Sequence, residues 1–130
     1  MTDVELRRAF EAGEEPPGGF HHRQHVHVAW MYLCECALPE ALARFTANLK
    51  HFAGKQGASG LYHETITVAF VLLINERLAD TGRDVPWPDF AARHADLLSW
   101  KPSILDRYYR EATLQCDRAR HAFVMPDRLD

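Results

Sequence analysis

Three cysteines in 130 residues are too few, and too awkwardly placed, for a disulfide framework. Cys34 and Cys36 stand two residues apart, which on a helix points them to nearly opposite sides, and Cys116 lies far along the chain. They are expected to be reduced, to behave as small apolar side chains and to ligate nothing. Long apolar runs are also missing. The longest, Ile66 to Ile74 broken by Thr67, is less than half of the ~20 residues that span a bilayer, so no membrane crossing is expected. Nor is there an excess of positive charge: 15 Lys and Arg stand against 18 Asp and Glu, a formal charge of -3, and no basic run occurs. That balance argues against nucleic acid as the main partner. The opening residues Met1 to Arg8 alternate polar and apolar and lack the apolar segment and cleavage site of a secretion signal, so the expected location is the cytoplasm. A strand pattern, internal repeats and low-complexity segments are absent too, which removes the sequence basis for a sheet or a solenoid.

What is present is 47% hydrophobic and 25% charged residues, the make-up of a soluble globular fold, read as a single helical domain over residues 1–130. Val4, Leu6, Ala9 and Phe10 give a short helix over residues 3–12 with Thr2 or Asp3 as its cap, ended by Pro16-Pro17-Gly18-Gly19. Phe20 then sits where a hydrophobic staple would. His22, Val26, Ala29, Leu33 and Cys36 follow helical spacing from residue 21 to about 37. Pro39 suits the first position of the next helix, which carries Leu42, Phe45, Leu49 and Phe52 as far as Gly54 and should run antiparallel to its predecessor. A third long helix is expected from about Leu61 to Ala79, apolar almost all round at its middle; a buried strand is the rival there. Pro86 to Asp89 opens a further helix whose Phe90, His94, Leu97 and Leu98 share a face, and short helical pieces follow over residues 103–109 and 113–123. The fold class is therefore all-α: a compact helical bundle with three long core helices, a short N-terminal helix and short C-terminal helices.

Four of the eight histidines fall within His21 to His27. In an up-down-up arrangement the starts of the first and third long helices lie at one end of the bundle, so His22 and His25 are expected near His63 and Glu64. Two histidines three apart share a helix face, and a third imidazole with a carboxylate completes a mononuclear site for a divalent transition metal, zinc, iron, manganese or copper. Against this, adjacent helical residues such as His63 and Glu64 point about 100° apart, and a helix N-terminus favours an anion over a cation. The same dipole keeps imidazoles neutral, which also suits general-base work or a metal-free anion pocket. His21 and His27 fall off the inner stripe and read as solvated, His51 as a helix-end cap, His94 and His121 as surface or rim residues. Asp106 to Arg110 reads as a packed aromatic pair on a C-terminal segment, with a pocket cover as the alternative. Trp30, Trp87 and Trp100 read as core and lid residues.

Phe20-x-His22-x-x-His25-Val26 with Ala29-Trp30, then Tyr62-His63-Glu64-Thr65 and later Tyr108-Tyr109 and Pro126-Asp127, resembles a widespread group of small uncharacterised bacterial all-α proteins. The resemblance covers most of the chain. It implies His22, His25, His63 and Glu64 as the motif residues and leaves out His21, His27 and His51; it implies no reaction.

Two function classes follow. In the first, His22, His25 and His63 bind a metal and Glu64 is a fourth ligand or a base that activates bound water, in a small enzyme or metal-binding protein acting on a small molecule. In the second, the chain is a non-catalytic module that binds a small molecule or anion, or a partner, and its histidines are structural.

Overall fold

A computed structural model of the chain describes residues 1–128, and among these residues the fold is all-α. Helices α1 (Asp3–Ala12), α2 (His22–Glu35), α3 (Leu38–Lys55), α4 (Glu64–Thr81), α5 (Trp87–Arg93), α6 (Glu111–Gln115) and α7 (Asp117–His121) are joined by loops and short 3₁₀ turns. The apolar run from Ile66 to Ile74 lies inside α4, so the strand alternative is not realised. No described helix is long and apolar enough to cross a membrane. The chain divides into two compact units, one over Met1–Tyr62 and the other beginning at His63.

In the first unit, Thr2 caps α1 through a capping box: its hydroxyl accepts the Glu5 N–H while the Glu5 carboxylate accepts the Thr2 N–H. Gly13 ends the helix in the left-handed region at φ 75°, where a side chain would be strained and a Cβ would stand 2.7 Å from Lys55 Cγ. Pro39 lies in the first turn of α3, where its missing N–H has no helical partner to lose. Helices α2 and α3 are antiparallel, as the short link requires: Phe20, just before α2, meets Phe52, Tyr32 meets Phe45 and Asn48, and Cys36 meets Arg44. Phe10 is fully buried and its ring lies 5.2 to 6.0 Å from those of Phe20, Phe45 and Phe52. Fully burying a ring of this size contributes about 1.5–3 kcal/mol. Tyr32 is as deeply buried as Phe10 and keeps its hydroxyl satisfied, donating to Glu11 and accepting from Asn48 Nδ2 at 2.9 Å. Burial, then Glu11, pushes that phenol up to about 12.

In the second unit, Val68, Val71, Ile74 and Leu78 bury one side of α4. Helix α5 stops at Arg93 and a 3₁₀ turn follows over Ala95–Leu97, so the stripe of Phe90, His94 and Leu97 is buried although the α-helix has ended. His94, expected at the surface, is only 7% exposed. Its Nδ1 accepts from Arg77 at 3.0 Å, and the same guanidinium makes two bonds of 2.8 Å to Asp96. The C-terminal segment is mostly irregular and is tied down by side chains: the Tyr109 hydroxyl donates to the Val124 carbonyl at 2.7 Å, and Asp127 accepts from the Arg110 N–H and the Thr113 hydroxyl. Those two donors hold the exposed Asp127 carboxyl below its ordinary range, the Thr113 hydroxyl foremost.

Candidate functional site

His22 and His25 belong to the first unit, His63 and Glu64 to the second. His21 is the residue before the first turn of α2, and its N–H donates to Gln24 Oε1 at 2.9 Å. That leaves Phe20 one position outside the helix and His25 at its fourth position, the two places a hydrophobic staple joins. The rings are indeed in contact, with centroids 4.6 Å apart. His25 therefore takes the role usually given to an apolar side chain, and Phe20 continues the contact into Phe10 and Phe52. Burial first, then the neighbouring His22 and His21, lowers the His25 imidazole to about 4. It is neutral across the physiological range. His22 is half-buried, and His21 and His51 are exposed. His27, expected to be solvated, is half-buried and lies 3.1 Å from Asp3 in α1. Burial pushes its imidazole below the ordinary value, against the pull of Asp3.

His63 does not open α4 from within. It is the N-cap, extended at φ -133° and ψ 112°, and its Nδ1 accepts the Ile66 N–H at 3.1 Å. A ring nitrogen that accepts an N–H carries no proton, so the proton sits on Nε2 and is donated to the Leu114 carbonyl at 2.7 Å. The main chain of His63 is used as well, its carbonyl accepting from the buried Thr67 hydroxyl at 2.7 Å. Thr65, next but one along the motif, is completely buried; its hydroxyl donates to the Ala122 carbonyl at 2.9 Å and accepts the Val124 N–H at 3.1 Å. His63 and Thr65 thus fasten the segment of residues 114–124 to the start of α4. Glu64 is the first residue of α4, half-buried, where a carboxylate complements the helix dipole.

Among the described residues no group of three or more His, Cys, Asp or Glu side chains is placed to hold a metal ion. All three cysteines are free, with Cys36 accepting from Arg44 at 3.2 Å. The sequence did not point to Thr65 as a fastening residue. A threonine in a first helical turn is common, and only its partners at residues 122 and 124 reveal what it does. The polar ring around Tyr32 was equally hidden, because Arg7 and Glu11 come from α1 and Arg44 and Asn48 from α3: the two guanidinium carbons lie 4.4 and 5.0 Å from the Tyr32 ring centroid. Comparison of the chain with protein-family models, with curated proteins and with solved structures gives no match.

Proposed function

We propose that the chain is a non-catalytic binding module whose motif histidines hold its helix starts. The observation that carries this is the His63 ring, whose Nδ1 lone pair and Nε2 proton are both spent inside the fold, on Ile66 and Leu114. A metal taking either nitrogen would have to displace one of those bonds. The staple between Phe20 and His25 supports the same reading, since it gives the second motif histidine a packing role.

One observation favours the alternative, in which His22, His25 and His63 bind a divalent transition metal with Glu64 as fourth ligand or base: His25 is held neutral, the form in which imidazole ligates metals. Metal analysis of protein purified without a histidine tag separates the two. The expected result is no stoichiometric zinc, iron, manganese or copper, and a melting temperature unmoved by chelator. In the same protein His63→Ala should cost about 1–2 kcal/mol as a lost cap, and His63→Asn, which can still cap, should recover part of it. Stoichiometric metal that is lost in both His22→Ala and His63→Ala, with non-additive effects on stability, would overturn this proposal in favour of the metal centre.

A further inference from the structure

His94 stands at the joint between α5 and the 3₁₀ turn that follows it: its N–H donates to the Phe90 carbonyl, closing the helix, and its own carbonyl accepts the Leu97 N–H, opening the turn. Its ring reaches α4, where Arg77 donates to Nδ1 at 3.0 Å. A guanidinium has hydrogens to give and no lone pair to receive with, so this bond fixes the ring as neutral with its one proton on Nε2. That N–H is buried and finds no hydrogen bond among the described residues, with Asp80 Oδ2 3.5 Å away. The imidazole thus lies between a cation it already bonds and an anion it does not quite reach. The charged groups facing it are Arg77 and Asp80 from α4, Arg93 from α5 and Asp96 from the turn. Asp96 is taken by Arg77 through two bonds of 2.8 Å and lies 3.9 Å from Arg107, while Asp80 meets Arg93 at 3.2 Å.

We propose that His94 is a proton-operated latch: neutral, it ties the α5 joint to α4 through Arg77; protonated, it lets Arg77 go and turns to Asp80. A second proton on the ring can land only on Nδ1, where it faces a guanidinium N–H. Donor then meets donor and positive charge meets positive charge, so the bond is lost. The same proton gives the Nε2 side a full charge opposite the Asp80 carboxylate. The imidazolium shares Asp80 with Arg93, and Arg77 keeps Asp96 alone. Each state therefore has its own partners, as a two-state element requires. Because the main chain of His94 makes the last bond of α5 and the first of the turn, moving the ring loosens both. Burial, then Arg77, holds the imidazole below its ordinary value against the pull of Asp80 and Asp96. The latched state is thus fully favoured above pH ~6.5 and is lost as pH falls through the lowered value.

The latch uses none of the motif histidines, so it stands apart from the binding-module proposal. The test is nitrogen-15 NMR of the imidazoles, with amide hydrogen exchange, on the full chain from neutral to mildly acidic pH. At neutral pH His94 should show a bare Nδ1 and a protonated Nε2. Its titration should centre below pH ~6.5, and the amides of His94 and Leu97 should lose protection along the same curve. His94→Asn offers Arg77 an uncharged acceptor with nothing to titrate, so the protection of Leu97 should stay level over that range. Asp80→Asn, at an exposed position, removes the partner of the protonated state and should move the His94 midpoint to lower pH. A proton on Nδ1 at neutral pH, an imidazole that titrates while both amides stay protected, or a Leu97 response that survives in His94→Asn would each overturn the latch. Should His94→Asn not fold, Asp80→Asn decides: an unmoved midpoint overturns the proposal.

Discussion

In the first unit Phe10, Phe20, Tyr32, Phe45 and Phe52 form one connected set of rings, whereas in the second the ties made by His63, Thr65 and Tyr109 run from side chains to main-chain carbonyls and N–H groups. The cause is secondary structure. The first unit is built from helices of 10, 14 and 18 residues that satisfy their own backbones, so side chains are free to pack. After α4 the second unit has helices of 7, 5 and 5 residues, whose many unpaired backbone groups need partners. Histidine shows what the difference does to one residue type. His25 stands among rings and acts as a ring; His63 stands among orphan backbone groups and acts as a donor and acceptor. One residue type thus serves two structural roles in the two units.

The comparison predicts different costs. The largest should come from Phe10→Ala, which removes a fully buried ring from three neighbours and should cost about 3–5 kcal/mol in chemical denaturation. A loss below about 1 kcal/mol would mean that the ring cluster is not what holds the first unit.

Thr65→Val keeps shape and loses only the hydroxyl. It leaves the Ala122 carbonyl and the Val124 N–H without this partner and should cost about 1–3 kcal/mol. Hydrogen exchange sharpens this: amides over residues 114–124 should exchange faster in the variant, while those of α3 should not change.

His25 supplies the pH dependence. Its pKa is about 4 in the folded chain against an ordinary histidine's 6.5, so the unfolded chain takes up the proton first. The contribution is fully present above pH ~6.5 and is lost as pH falls towards ~4, with a slope of at most about 1.4 kcal/mol per pH unit for one proton. Because His27 and His94 are lowered as well, the quantity to measure is the difference between the unaltered chain and His25→Leu, whose stability should fall less between pH 6.5 and 5. Parallel curves would refute the burial of His25.

The smallest effect belongs to Arg93→Ala. The guanidinium meets Asp80 at 3.2 Å with both side chains more than half exposed, and the loss should stay within about 0.5 kcal/mol and vanish in high salt.

Helix positions were readable in the sequence because their signals are local: the Thr2 and Glu5 box, the prolines and glycines after residue 15, Pro39, and the spacing of Leu42, Phe45, Leu49 and Phe52. The antiparallel pairing of α2 and α3 followed from the short link. The end of α5 was not readable, since Phe90, His94 and Leu97 keep their spacing through the change from α-helix to 3₁₀ turn. The burial of His94 depends on Arg77, 17 residues earlier in the chain, and no local pattern encodes that distance. His63 has both ring nitrogens bonded to the main chain. Its partners were hidden because histidine is not among the favoured N-caps, and because Leu114 contributes only a main-chain carbonyl, which every residue has.

The ties made by His63 and Thr65 also set an order of events in time. They join residues 51, 57 and 59 positions apart, whereas the Tyr32 hydroxyl finds its partners 16 and 21 positions away. Closing the longer loops costs more chain entropy, and during synthesis the start of α4 leaves the ribosome long before Ala122 and Val124 exist. The first unit can settle while the chain is still growing, but the buried threonine at the head of α4 waits, solvated, for the last segment to arrive.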